Sequence, residues 1–277
     1  MAYRGLSRHI NIDSLRDPRN KFKLQELIGE GTYGEVYWAK DVETGDHVAI
    51  KIMENIPENI EEIEEEYLVL KDLSVHPNIP SFYGLYLRRG GQPEEDQLWF
   101  VMELCTGGSV TDLVQGMKKR GVSLSEDQIA YILYGTVQVI ACEQQLDMSY
   151  DARCDIWSLG ITAIELAEGD PPLSDLHPMR ALFQIPRNPP PQLTKRFDCV
   201  LLCDFVNECL RKDLEERPFA KELLRHPLLK KGAQLAHQSD LTMTFQIFYE
   251  QYRMLYFEHS TRFNDVKVEF SAQTEPT

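Results

Sequence analysis

The chain has 277 residues, 43% of them hydrophobic, which is enough to bury a sizeable core and to form two lobes. Its net charge of −15 makes DNA, RNA and anionic membranes poor general partners. The six cysteines show no metal-ligand spacing, the N-terminus has no apolar signal sequence, and no stretch approaches a transmembrane span. We therefore expect a cytoplasmic protein with reduced thiols.

A glycine-rich segment is the first informative element along the chain. Residues 27–36 read LIGEGTYGEV, with the spacing G-x-G-x-x-G-x-V, and residues 48–51 read VAIK. Glycines let a backbone fold tightly over phosphates and point its N–H groups at them. Alone, the glycines would equally fit a hairpin turn, and Lys51 would fit an exposed edge lysine. Together, strand, glycine-rich turn, strand and lysine follow the order of protein kinases, not that of a dinucleotide-binding fold.

Residues 58–73 are predicted to form an acidic amphipathic helix. The apolar positions at helical spacing are Ile60, Ile63, Tyr67 and Leu70. Most of the glutamates in this stretch are expected to face solvent. Glu66 differs because it lies at the border of the apolar stripe. We choose it as the partner of Lys51, with Glu62 as the weaker alternative.

An almost wholly apolar run at residues 98–104 predicts a buried strand, and the glycines that follow at 107 and 108 predict a connector between two lobes. Here the sequence resembles a eukaryotic serine/threonine protein kinase. The resemblance implies that Met102 is the gatekeeper and that Glu103 and Cys105 offer backbone groups to adenine.

The resemblance continues beyond the connector. Ser109 and Asp112 match positions near the ribose, although a plain helix cap explains them equally well. Residues 150–166 match the central helix of the kinase C-lobe, and residues 213–218 match its closing helical signature.

Three phrases narrow the resemblance to the N-terminal kinase domain of class III unconventional myosins, over roughly residues 15 to 230. They are ELCTGGSVTDLV at 103–114, VIACEQQ at 139–145 and HPMRALFQIPRNPPP at 177–191. The sequence contains no G-x-x-x-x-G-K-[ST], so it carries no myosin motor.

The sequence departs from this family between Gly135 and Val139, a stretch we call the junction. In the family, residues matching 131–135 open a helix that leads to the catalytic loop, whereas VIACEQQ follows the activation segment. Roughly 60 residues are therefore missing, with the catalytic loop, the Asp-Phe-Gly and the substrate platform. Arg153-Cys154-Asp155 lacks the following Asn, and Asp204-Phe205-Val206 lies in a helical pattern, so neither replaces these motifs. We predict no catalytic residue and no metal ligand.

Two C-lobe residues are expected to have lost their partners. In the family, the residue matching Asp155 holds the catalytic loop, and the residue matching Arg217 pairs with a glutamate of the activation segment. A buried charge left alone costs about 3 to 5 kcal/mol. We therefore expect a loosened C-lobe.

The junction is nevertheless predicted to be helical. Ser125 and Gln128 form a capping box, S-x-x-Q. Apolar residues then recur at helical spacing through the junction, at Ile129, Ile132, Leu133, Val137 and Ile140. We predict one helix from about Glu126 to Gln144, followed by a link at residues 146–150.

The predicted fold class is α+β, a two-lobe protein-kinase-like fold with an intact β-rich N-lobe and an abridged helical C-lobe. The divisions are an N-terminal extension (1–20), the N-lobe (21–104), the shortened C-lobe (105–231) and a tail (232–277). The tail carries aromatic residues at helical spacing, and that helix either packs on the C-lobe or binds a partner.

The resemblance implies ATP as cofactor, held weakly here, and magnesium, whose ligands are missing. It implies nucleotide and other proteins, including cytoskeletal ones, as partners, with a cytoskeletal location and neither nucleic acid nor membrane insertion. The chain is expected to be inactive in phosphoryl transfer; the alternatives are an active serine/threonine kinase and a pseudokinase that binds proteins without nucleotide. The expected nucleotide contacts are Ile28, Gly29, Glu30, Gly31, Thr32, Tyr33, Gly34, Val36, Ala49, Lys51, Glu66, Met102, Glu103 and Cys105.

Overall fold

The computed structural model describes residues 3, 5–31, 34–146, 153–195 and 198–236. These residues include a five-stranded antiparallel sheet with the strand order β1-β2-β3-β5-β4. The strands are β1 (Phe22–Gly31), β2 (Gly34–Asp41), β3 (His47–Met53), β4 (Phe82–Arg88) and β5 (Gln97–Glu103). The predicted strand at residues 98–104 is thereby confirmed as β5.

Eight α-helices lie in the described part of the chain. They are α1 (Ile60–Leu73), α2 (Val110–Lys119), α3 (Glu126–Leu146), α4 (Arg153–Glu168), α5 (Pro178–Gln184), α6 (Val200–Cys209), α7 (Ala220–Leu223) and α8 (Pro227–Ala236). The described residues form two compact units. The first contains the residues up to Gly108 and those of α3 from Gly135 onward, and the second contains residues 109–134 and 153–236. The domain boundaries expected from the sequence remain predictions.

The two central strands, β3 and β5, are apolar on both sides because the sheet separates two clusters of buried side chains. Ile50 and Val101 are fully buried in one cluster, and Phe100 is fully buried in the other. Alternate residues of a strand point to opposite faces of the sheet, so a strand covered on both faces reads as a continuous apolar run. The second cluster also contains Ile63 of α1, with Tyr67 partly buried against it. The predicted apolar stripe of this helix therefore packs on the sheet.

Helix α3 runs without a break through the junction, as predicted. The Ser125 backbone N–H donates to Gln128 Oε1 at 2.9 Å, and the Gln128 N–H donates to Ser125 Oγ at 3.3 Å, which completes the capping box. The most buried side chains of the helix are Ile129, Ala130, Leu133, Val137 and Ala141. They follow helical spacing across Gly135. Of the predicted link, residues 147–150 lie outside the described part of the chain.

Helix α3 makes one close contact within each of the two units. In the second unit, a Cβ added at Gly232 of α8 would lie 2.3 Å from the carbonyl oxygen of Ala130, so only glycine permits this close approach of the two helices. In the first unit, Asn78 Nδ2 donates to the Gly135 carbonyl and to Gln138 Oε1, both at 3.2 Å. The hydrogen bond from Asn78 to the Gly135 carbonyl thus fixes the backbone of α3 where the junction begins.

Arg217 has other partners in place of the glutamate, so the expectation of a buried charge left alone is wrong for this residue. Its side chain is 9% exposed, and its N–H groups donate to the carbonyl of Arg153 at 3.0 Å and to that of Arg211 at 2.9 and 3.1 Å. Its guanidinium carbon also lies 5.1 Å from the centre of the Trp157 ring. Carbonyl oxygens and an aromatic face therefore take the place of the carboxylate.

The expectation of an uncompensated buried charge also fails for Asp155. This residue is exposed in the first turn of α4, where a carboxylate interacts favourably with the helix N-terminus. Among the described residues, no buried side-chain nitrogen or oxygen lacks a hydrogen-bond partner. The uncompensated buried charges that were expected to loosen the C-lobe are therefore not found at Arg217 or Asp155.

The other predictions on the C-lobe concern two motifs, which lie in described helices, and the tail, which lies outside the described residues. Asp204, Phe205 and Val206 lie within α6, and Phe205 is fully buried, so the interpretation as an ordinary helix is confirmed. Residues 153–155 open α4. The predicted aromatic helix of the tail lies outside the described part of the chain. No helix among the described residues is both long and apolar enough to cross a membrane.

Candidate functional site

Lys51 and Glu66 form the ion pair that the sequence predicts. Lys51 lies on β3 between Ile50 and Ile52, both buried, and its Nζ is 2.5 Å from Glu66 Oε2. The two side chains are 21% and 30% exposed. Glu66 reaches the sheet because it lies one helical turn after the fully buried Ile63 of α1. Glu66, and not Glu62, is thus the partner of Lys51.

The glycine-rich segment forms the β1–β2 hairpin. Gly29 pairs with Val36, and Gly31 pairs with Gly34. Gly34 has a φ of +155°, and a Cβ there would lie 2.1 Å from the Ile52 carbonyl oxygen of β3. A side chain at this position would therefore push the hairpin off the sheet. Thr32 and Tyr33, which were predicted to contact nucleotide, lie outside the described residues.

One face of the sheet brings three of the predicted adenine contacts together with Lys51. Val36 pairs with Lys51, and Ala49 pairs with Met102. Directly paired residues of neighbouring strands, and residues two apart along a strand, point to the same face. Val36, Ala49 and Met102 therefore share the face of Lys51. Ile28 of β1 is 49% exposed, which leaves an apolar side chain available for contact.

The end of β5 is fixed by Ser81. The Glu103 backbone N–H donates to the Ser81 carbonyl at 2.8 Å, and the Ser81 N–H donates to Glu103 Oε2 at 3.0 Å. Cys105, two residues on, is exposed. Partial burial of its thiol, and then the nearby Glu103 carboxylate, raise the pKa of Cys105, so this thiol is protonated at neutral pH.

Ser109 is the N-cap of α2. Its Oγ accepts a hydrogen bond from the Asp112 N–H at 3.0 Å and donates to Asp112 Oδ2 at 2.7 Å. The helix-cap interpretation of these two residues is therefore confirmed.

The residues do not fit a metal–phosphate centre. Among the described residues, no group of three or more His, Cys, Asp or Glu side chains could hold a metal ion. The sequence itself contains neither His-Arg-Asp nor Asp-Phe-Gly. The groups that would position Mg²⁺ and the acceptor hydroxyl in a protein kinase are thus missing.

Sequence reasoning missed the contribution of the N-terminus to the unit that holds Lys51. We call residues 3 and 5–15 the N-terminal segment; they were expected to be an extension. Tyr3, Ile10 and Ile12 are buried in the cluster that contains Ile63. The alternation of Ile10 and Ile12 with polar residues was the available signal, because it is typical of a segment with one face against a core.

Comparison with known proteins gives the family. The protein kinase domain family matches residues 22–143 and 133–229, two segments that overlap around the junction. Human myosin-IIIa is 42% identical, over 86% of this chain and 18% of its own length. Mouse myosin-IIIb is 39% identical, over 86% and 23%, and rat Misshapen-like kinase 1 is 40% identical, over 80% and 21%. The chain thus spans about a fifth of the length of these relatives.

The alignment with human myosin-IIIa also shows that this chain is shorter than the region it matches. The alignment with human myosin-IIIa runs over 299 residues, but 86% of this 277-residue chain is only about 238 residues. About 60 positions of that alignment therefore have no counterpart in this chain. From the family match, the fold and these relatives, the chain belongs to the protein kinase family, as a shortened kinase domain of the myosin III and Misshapen-like type.

Proposed function

We propose that this chain is an ATP-binding, serine/threonine protein-kinase-like domain that cannot transfer phosphate, that is, a pseudokinase. The observation that carries the proposal is the Lys51–Glu66 ion pair beside a glycine-rich hairpin, in a chain without the catalytic loop and the Asp-Phe-Gly. Serine/threonine type is taken from the relatives, because the segment that reads the acceptor hydroxyl is missing.

The proposed nucleotide binding depends on groups that lie in the first unit. Lys51 offers a cation to the phosphates, and Glu66 fixes its direction. The backbone of the hairpin offers N–H donors around Gly29 and Gly31. Ile28, Val36 and Ala49 offer apolar contact to a purine, and the backbone at Glu103 and Cys105 offers its hydrogen bonds. We expect weak binding, since the residues that would cover the other side of the purine in the family are missing.

The proposed inactivity follows from the way in which kinases accelerate phosphoryl transfer. The protein does little covalent chemistry, and the rate comes from positioning and from metal ions that neutralise the developing charge. Bound magnesium would supply that charge, but the described residues offer it no ligand set. Lys51 alone can hold a phosphate in the ground state without stabilising the transition state any further, and uniform binding of this kind does not accelerate a reaction.

In the cell, such a chain would act through protein contacts. Two of the relatives are named as myosins, and we propose cytoskeletal proteins as partners and a cytoplasmic, cytoskeleton-associated location. The continuous helix α3 supports this role, because a shortened domain must fold in order to serve as a scaffold.

Calorimetry with ADP and ATP, with and without magnesium, tests the nucleotide proposal. We expect both nucleotides to bind weakly and nearly alike, with no magnesium dependence. Lys51→Ala should reduce the affinity about 10-fold or more, because it removes a charged contact to phosphate. Lys71→Ala, which removes an exposed lysine of α1, is the matched control and should have no effect.

The other outcomes identify the alternatives. A strong magnesium dependence would contradict the proposal and indicate a metal site of an active kinase. The lack of any nucleotide binding by a folded chain would favour the pseudokinase that binds proteins alone.

A further inference from the structure

The N-terminal segment belongs to the core of the first unit. Tyr3 is 4% exposed, and Ile10 and Ile12 are 6% and 1% exposed. All three share a cluster with Ile63 of α1 and Phe100 of β5. The segment thus packs in one cluster with residues of the sheet and of the helix that carries Glu66.

Polar contacts fix this segment to the β4–β5 side of the sheet. The Tyr3 hydroxyl, which has a single proton to donate, lies 3.0 Å from Asp96 Oδ2 and 3.1 Å from the Pro93 carbonyl oxygen. Arg89 forms ion pairs with Asp13 at 2.9 Å and with Asp96 at 3.3 Å. Asp96 is 3% exposed, so the hydrogen bond that it accepts from Tyr3 is shielded from water, whereas the Arg89 side chain is 44% exposed.

A second set of contacts joins the segment to α1. Ser7 Oγ donates to Glu64 Oε1, and the Arg8 backbone N–H donates to the same oxygen at 3.0 Å. Ser7 Oγ in turn accepts from the Ile10 N–H at 2.8 Å. The Ser7 hydrogen bond, followed by that of Arg8 among the lowering contacts, lowers the pKa of Glu64.

We propose that the N-terminal segment positions α1, with Ser7 and Glu64 as positioning residues for the Lys51–Glu66 ion pair. Glu64 and Glu66 are two residues apart, which places them about 200° apart around the helix axis. One therefore binds the N-terminal segment on one side while the other binds β3 on the opposite side. Two such contacts restrain rotation of α1 about its axis, which buried apolar contacts alone restrain less well. The inference rests on the proposed function only for its consequence on nucleotide affinity.

Amine labelling of Lys51, followed by mass spectrometry without nucleotide, tests the inference. We compare Ser7→Ala and Glu64→Ala with Glu65→Ala, a matched control on the exposed side of the same helix. Loss of the Ser7–Glu64 contact should raise the labelling rate of Lys51 about 3- to 10-fold, as expected for the loss of one partly buried hydrogen bond of ordinary strength. Labelling of Lys71, the internal reference on α1, should stay the same. Ser7→Thr keeps the hydroxyl group and should restore the low rate.

Three results would overturn the inference. One is an unchanged Lys51 rate in both Ser7→Ala and Glu64→Ala. Another is an equal rise in Glu65→Ala. The third is a parallel rise at Lys71, which would indicate general unfolding and not a change in the position of α1.

A second measurement on the same variants, the affinity for ADP, distinguishes a failure of the proposed nucleotide binding from a failure of the positioning role. We expect ADP affinity to fall along with the rise in Lys51 labelling. If ADP does not bind the unaltered chain while labelling still responds to Ser7, the proposed function fails and the positioning role stands.

Discussion

The two units keep different parts of a kinase domain. The first keeps the sheet, the hairpin, α1 and the Lys51–Glu66 pair. The second keeps α4 and α6, which pack against each other through buried side chains, although about 60 positions of the alignment with human myosin-IIIa have no counterpart in this chain. We predict from the sequence that the missing residues include the catalytic loop and the Asp-Phe-Gly. On this prediction, catalysis and core packing depend on largely separate residues in this domain.

The largest expected effect tests whether both units have a true core. Phe100→Ala in the first unit and Phe205→Ala in the second each remove a fully buried ring. Each should lower the free energy of unfolding by about 3–5 kcal/mol, because a cavity adds to the lost burial. Denaturant unfolding measures the change, and Phe183→Ala, at a position 59% exposed, is the control. A loss below about 1 kcal/mol for Phe205→Ala would mean that the second unit lacks a packed core.

A smaller effect tests how the second unit holds the first part of α3. Gly232→Ala places a Cβ against the backbone carbonyl of Ala130, which cannot rotate away. Overpacking should cost about 1–3 kcal/mol, more than the helix propensity gained by alanine. Thermal unfolding measures it, with Lys230→Ala at an exposed position of α8 as the control. Stabilisation by Gly232→Ala would contradict the close contact between these helices.

The smallest effect concerns the N-terminal segment and depends on pH. Burial, followed by the hydrogen bond to Asp96, raises the pKa of Tyr3 to about 12 from its ordinary value of 10.0. A raised pKa means that the stability from neutral Tyr3 is fully present below pH 10 and is lost as the pH rises toward 12. Tyr3→Phe should cost about 1 kcal/mol at pH 8 and less at pH 11.5. Equal costs at both pH values would show that Tyr3 does not titrate in this environment.

The accuracy of prediction from sequence depended on whether the determinant was local. The capping box of Ser125 and Gln128, the apolar stripe through the junction and the position of Glu66 on α1 are periodic signals, and the structure confirms all three. The two charges expected to lack partners show the limit. The partners of Arg217 are main-chain carbonyls, which no residue type encodes.

Contacts between distant segments were the other limit. Tyr3 and Asp96 are 93 residues apart, and Ser7 and Glu64 are 57 apart, so no local pattern relates them. Only the alternation around Ile10 indicated that the N-terminal segment is buried.

A phosphoryl-transfer assay with labelled ATP, magnesium and a generic protein acceptor tests the central claim most directly. Rat Misshapen-like kinase 1, a relative named as a kinase, is the positive control. We predict that the unaltered chain transfers phosphate no faster than the background and that Lys51→Ala leaves this rate unchanged, because the sequence lacks the catalytic loop and the Asp-Phe-Gly that hold the metal ions in protein kinases. Transfer above the background that Lys51→Ala abolishes would contradict the account.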